Sequence, residues 1–255
     1  MLRALTRRDY VYCASTSRKF VRSMLSARKP TQNCFKLKDR KERIMLIAHQ
    51  GKSPRIHPTA YVAPTALISG EVEIGAHCRI LHGAVITAEG AAVTIGEHCL
   101  VMEQAVLRAA GGKQRSFPLV LGNHSLVGPH AYLVGCTIGQ NCFIATGALV
   151  FNNARIKDNC TVTLQGIVHI GTTLEEGQHV PLQHIAIGTP ARIFRPGETE
   201  AMMAALHKEG FKHVVLGMDL TKRGQEAIEE YRLGLERYTQ ALAAHQQDII
   251  LESAD

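Results

Sequence analysis

Three residues of this chain have the chemistry of a proton relay: His82, Glu103 and His130. An imidazole beside a carboxylate can carry protons near neutral pH. Three more, Arg108, Gln104 and Glu89, have the chemistry of small-anion recognition. A guanidinium flanked by other donors suits a carboxylate or another compact anion. The same residues also suit a solvated surface ladder, or an ion pair between Arg108 and a carboxylate at a subunit interface.

What would bring them together is a six-residue repeat. Stepping by six from Ile56 meets Val62, Ile68, Ile74, Ile80 and Ile86. After three extra residues the series resumes at Ile95, Val101 and Leu107, and after eight more at Leu121, Val127 and Leu133. One residue is then dropped, and Ile138, Ile144, Val150, Ile156, Val162, Val168, Leu174 and Val180 follow, so all 20 anchors are Ile, Leu or Val. The position four after an anchor is usually small, as at Ala66, Cys78, Ala84, Cys99 and Ala131. Gly often follows the anchor, as at Gly75, Gly96, Gly122, Gly128 and Gly139, where it would permit conformations that β-branched residues resist.

This pattern reads as a mainly β fold: a parallel β-helix of about seven triangular coils, each face one hexapeptide, with C-terminal α-helices. Anchors fill the prism and each coil supports its neighbours. Residues 18 apart then stack, with allowance for insertions. His82, Glu103 and Pro129 form one column, and Gly83, Gln104 and His130 the next. Thr87, Arg108, Val134, Phe151 and His169 form a third. Glu89 lies on a small inserted loop beside them. A longer insertion, Ala109 to Pro118, carries Lys113, Gln114 and Arg115 and reads as a mobile solvated loop that could also cover a site.

The chain divides into a basic extension, 1–44, a β-helix, 45–187, and an exit segment with helices, 188–255. IAIGTPARIF (Ile185 to Phe194) reads as extended, Glu198 to Glu209 as a short helix, and Thr221 to about His245 as a longer one with Thr221 as N-cap. Its apolar stripe of Ala227, Ile228, Tyr231, Leu235, Tyr238 and Leu242 suits packing on the prism or on a neighbouring subunit. The net charge of +7 does not describe the folded part, because residues 1–44 hold 13 Lys/Arg against three acids and the remainder is −3. That distribution argues against nucleic acid as a partner. The extension is open to three readings: a transit peptide, a basic tail, or a start called ahead of Met45.

Cys78, Cys99, Cys136, Cys142 and Cys160 each lie two residues before an anchor, without zinc-type spacing. They read as buried reduced thiols, which suits an intracellular compartment. No apolar run approaches the roughly 18 residues of a membrane-spanning helix. The expected location is the cytoplasm, or the mitochondrial matrix if residues 1–44 are a transit peptide. His77, His98 and His124, three after an anchor, read as an outer edge, and His49, His179, His184, His207, His213 and His245 as scattered.

From Pro54 to Arg195 the hexads resemble the hexapeptide-repeat superfamily, and GEVEIGAHCRILHGAVI, VGPHAYLVGC and IGTPAR resemble its γ-class carbonic anhydrase-like branch. That resemblance implies a left-handed β-helix, a homotrimer, and zinc held between subunits by three His. Two family ligands lie in a stretch of the form VGHxxxxHG, which places them here on Pro129 and Val134, and the third falls on Arg108. The family's Arg-Gly-Asp segment falls on Thr87-Ala88-Glu89 and its active-site Gln on Met102. Neither Pro nor Val donates to a metal, and Arg108 would repel one. His130 is one residue out of phase, which on a strand turns a side chain to the other face. No metal site and no cofactor are therefore expected, and zinc-dependent CO2 hydration is not.

Three functions follow from the resemblance. One is a γ-carbonic anhydrase-like homotrimer without that activity, binding a small anion or serving as a scaffold. A second is a CoA-dependent acyltransferase, transferase-like in chemistry, with His82 or His130 as base and Gly188-Thr189-Pro190-Ala191-Arg192 near the tail of acetyl-CoA. The third is a structural subunit of a larger complex, such as the carbonic anhydrase-like subunits of mitochondrial respiratory complex I or the hexapeptide subunits of dynactin, to which VITAEGAAVTIGEHCLVMEQAVL is similar.

Overall fold

A computed structural model describes residues 44–111, 116–206 and 221–251. The basic extension, the tip of the long insertion with Lys113, Gln114 and Arg115, and His207 and His213 lie outside the described residues. Short strands, mostly of two or three residues, alternate with tight turns and stack into three parallel sheets. Two of the sheets hold seven strands in simple succession. The third stacks eight coil strands in parallel, from Met45–Ala48 through Val85–Glu89 and Val106–Gly111 to Ile185–Ile187. The solenoid therefore has about eight turns, two strands more than the twenty anchors count, because Met45–Ala48 precedes the first of them and Ile185–Ile187 follows the last.

Nineteen of the twenty anchors are buried, and the exception is Ile56, at the open first coil. They stack in register: Ile86, Leu107, Leu133, Val150 and Val168 are successive partners down one face. Val72, Val93 and Leu119 join the same core. The five cysteines are free and buried among them. Four of the thiols, those of Cys78, Cys99, Cys142 and Cys160, find backbone carbonyls: Cys78 donates to Gly96 at 2.9 Å and Cys160 to Glu175 at 3.0 Å.

The glycines after the anchors are there for a different reason than left-handed backbone. Gly122 has no positive φ, but a Cβ on it would stand 2.5 Å from the carbonyl carbon of Gly139 in the next coil. Backbone meets backbone there, so neither side can yield. The left-handed positions fall two residues further on, at His77, His98, His124, Asn141 and Asn159 on one corner. These are the polar types that tolerate that conformation best. His77 stacks on His98 at 4.7 Å and His98 on His124 at 5.0 Å, all three exposed on the outer edge.

Both ends of the solenoid are closed. At the far end the extended exit folds into a hairpin, Ile185–Ile187 against Arg192–Phe194, with Phe194 buried. Gly188 to Arg192, considered for a CoA tail, form its turn and second-strand start, where Thr189 donates to the Gly171 carbonyl at 3.0 Å. Helix α1 (Thr199–Leu206) follows, within the expected span. Helix α2 (Gly224–Leu242) starts three residues later than expected: Arg223 is its N-cap and makes no side-chain cap bond, so Thr221 does not cap it. A 3-10 turn, Ala243–Gln247, leads to a last strand, Ile249–Leu251. That strand pairs antiparallel with Met45–Ala48 and covers the otherwise bare edge of the first coil. The apolar stripe of α2 remains largely exposed on this chain, with Ile228 61% accessible and only Gly234 buried.

Candidate functional site

The strand pairing confirms the stacking of Arg108 between Thr87 and Val134 on one face. The neighbouring turn columns stack as well, since the Gln104 amide donates to the His82 carbonyl and the His130 amide to that of Glu103, both at 3.1 Å. His130 is not on a strand, however. It sits at a left-handed turn position, φ 56°, with its ring exposed, because the chain turns the prism corner there.

The structure joins some of the six expected residues and leaves others apart. Arg108 and Glu89 form an ion pair. Burial works against the charge of Arg108, but Glu89, and then Tyr238, outweigh it and hold the guanidinium above its usual range. The Tyr238 hydroxyl, on α2, accepts a hydrogen bond from Arg108 at 2.8 Å. The Nε of Arg108 is buried with no hydrogen-bond partner among the described residues. His82 pairs through Nδ1 with the Thr65 hydroxyl at 3.0 Å. Glu103 and His130 form no ion pair with each other, and Gln104 is exposed with its side chain over Gly83.

Three residues that sequence reasoning left scattered or unremarked complete this region. His245 stands 3.8 Å from Glu89 through Nε2 and 2.8 Å from Asp248 through Nδ1. Asp248 also meets His49 Nδ1 at 2.6 Å, and the two imidazole rings stack 4.4 Å apart. The only hint in the sequence was the apolar Ile249-Ile250-Leu251 run, a strand-like segment after a helix.

The positions that the resemblance equates with zinc ligands can be compared with this geometry. Pro129 and Val134 have no donor atoms, and Val134 is only 7% exposed. The third position is filled by a guanidinium already bound to a carboxylate. The residues present do not fit a metal there.

Sequence comparison agrees with the repeat. Gamma carbonic anhydrase 1, a mitochondrial protein of Arabidopsis thaliana, is 25% identical over 73% of this chain and 61% of its own length. Gamma carbonic anhydrase 2 of the same plant is 24% identical over 74% of this chain and 73% of its own. The carnitine operon protein CaiE of Escherichia coli is 26% identical over 58% and 70% respectively.

The chain is a hexapeptide-repeat β-solenoid similar to the γ-class carbonic anhydrases.

This hexapeptide-repeat protein thus spans less than two thirds of the first of those relatives. No family model matches it. Among solved structures, a hexapeptide transferase family protein from Anaplasma phagocytophilum is 22% identical, over 75% of this chain and 97% of that one, with a TM-score of 0.35. Among the described residues no helix is long and apolar enough to cross a membrane.

The ion pair gives a direct test of the region's mechanics. Glu89→Gln should cost about 1–2 kcal/mol of stability, between an exposed pair and the 3–5 kcal/mol of a fully buried one. Chemical denaturation should show this as a lower midpoint, and Glu89→Asp should recover part of it.

Proposed function

We propose that this protein is a homotrimeric γ-carbonic anhydrase-like scaffold that does not hydrate CO2 through zinc. One observation carries the reading: the guanidinium of Arg108, at a position that the resemblance assigns to a zinc ligand, is held in place by Glu89. A zinc site lowers the pKa of its bound water with neutral or anionic ligands. A fixed cation at that corner opposes the metal, and Pro129 and Val134 offer nothing in return. Stopped-flow CO2 hydration tests this, with the uncatalysed rate expected even after incubation with zinc.

The Nε of Arg108, buried and without a hydrogen-bond partner among the described residues, favours adding a ligand to this reading. A small anion or carboxylate would satisfy that donor, with Gln104 on the neighbouring corner. The trimer is supported by exposed apolar side chains in two places. Tyr61, Leu100 and Phe143 share one sheet, and Ile228, Tyr231 and Leu235 share α2. Light scattering should give three times the mass of the chain. The relatives named as mitochondrial, together with the basic segment 1–44, support the matrix as the location.

A further inference from the structure

We propose that His49, His245 and Asp248 form a binding site for a transition-metal cation of the zinc class, which fastens the C-terminal strand onto the first coil. None of the three occupies a position that the resemblance assigns to zinc, and the site lies at the end of the solenoid, beyond the Arg108 corner.

The backbone builds the site from both sides. Ala48 pairs with Ile249, so the antiparallel register sets His49, one residue past its strand, opposite Asp248, one residue before its own. His245 and Asp248 are three apart at the end of the 3-10 turn, and in that helix side chains at i and i+3 eclipse. Two imidazoles therefore converge on one carboxylate. One donor atom from each of the three residues lies within 4.8 Å of the others. His49 is 4% exposed, and 199 residues separate it from Asp248.

The donor set is chemically selective. Two neutral imidazole nitrogens and a carboxylate suit zinc, cobalt or nickel, whereas calcium and magnesium prefer oxygen alone. The surroundings also match a metal site. With Nδ1 of His245 on the ion, its Nε2 would face Glu89, which stands at 3.8 Å. Closing that gap to hydrogen-bond length would complete a carboxylate–histidine–metal arrangement, and Arg108 in turn fixes Glu89. Zinc bonds of about 2.0–2.2 Å place tetrahedral donors roughly 3.3 Å apart. The present separations are 2.6 Å and 2.8 Å, so each ring must move back from the carboxylate by about half an ångström as the ion takes the two Nδ1 lone pairs, each neutral ring carrying its one proton on Nε2. His245 lies on a short 3-10 turn with its side chain 39% exposed, so solvent rather than packed side chains borders part of the ring. A bound ion would join the first coil to the strand Ile249–Leu251 and shield that edge.

The test uses the full-length chain, stripped with chelator and titrated with Zn2+ by calorimetry, with Co2+ absorption as a second readout. Wild type should bind one ion per chain, and its thermal midpoint should rise with zinc. His245→Gln and Asp248→Asn should abolish saturable binding and the thermal shift. Glu89→Gln should weaken binding by about tenfold. A triple variant of His77, His98 and His124 to Gln removes the exposed imidazole ladder and should bind as wild type does. If Asp248→Asn fails to fold, His245→Gln still decides, because that side chain is 39% exposed. Absence of binding by wild type, which would leave a clasp of hydrogen bonds alone, overturns the proposal. So does binding that survives in His245→Gln, or that is lost in the ladder variant. CO2 hydration is read separately, so failure here leaves the reading of the Arg108 corner untouched.

Discussion

Leu133→Ala should destabilise the protein by about 2–5 kcal/mol, as measured by urea or guanidinium denaturation. Leu133 is fully buried and lies between Leu107 in the coil before it and Val150 in the coil after. Removing its isobutyl group leaves a cavity bounded by two stacked anchors. The strands that carry those anchors are hydrogen-bonded in place, so the walls cannot collapse inward. Ile56→Ala is the matching control. Ile56 is only partly buried and has a neighbouring coil on one side alone, at Ile74. Its loss should be clearly smaller. Equal losses at the two positions would show that the stack does not share its load between neighbours in the way a solenoid requires.

Alkaline pH should weaken the fold steeply, and two thiols should account for much of it. Burial pushes Cys136 up to about 12 and Cys142 up to about 11. An exposed cysteine in the unfolded chain titrates near 8.5. Above that value the unfolded state sheds protons that the folded state retains, so stability falls as pH rises and stops falling near the folded values. Below about pH 8 the contribution is constant. By about pH 10 each thiol should have cost on the order of 2 kcal/mol, or about 4 kcal/mol for the pair. Denaturation midpoints at several pH values, for wild type and for Cys136→Ala with Cys142→Ala, separate this effect from other titrations. The variant should lose less stability between about pH 8 and pH 10 than wild type does. The same parallel slopes in both proteins would rule the thiols out.

The solenoid was legible in the sequence because its core is written one residue at a time. A stack of flat coils gives every anchor the same surroundings, so Ile, Leu or Val recurs without a lapse from Ile56 to Val180. The inserted residues were legible too, since the 26-residue step from Val101 to Val127 matches the strand pairing across the long insertion. The role of the glycines was not. Gly122 is required by how closely the next coil approaches, and that distance is not encoded in the residues beside it.

The candidate site divides along the same line. Columns within the coils follow from counting, which is how Arg108 was placed beside Thr87 and Val134; Glu89, expected on an inserted loop, instead ends strand Val85–Glu89 and pairs with Ala110, because the insertion begins by prolonging the strand. Counting says nothing about a segment that returns from the far end of the chain. Tyr238, His245 and Asp248 reach the first coils only because Ile249–Leu251 adds to the edge at Met45–Ala48. Three residues carry no periodicity. His49 and His245 accordingly looked unrelated, although their rings stack 4.4 Å apart.

The most direct test of the central claim is stopped-flow CO2 hydration by the full-length chain, incubated with zinc. With Arg108 paired to Glu89 and no donor atom at Pro129 or Val134, the rate should equal that of buffer containing the same zinc. Any protein-dependent acceleration would contradict the account.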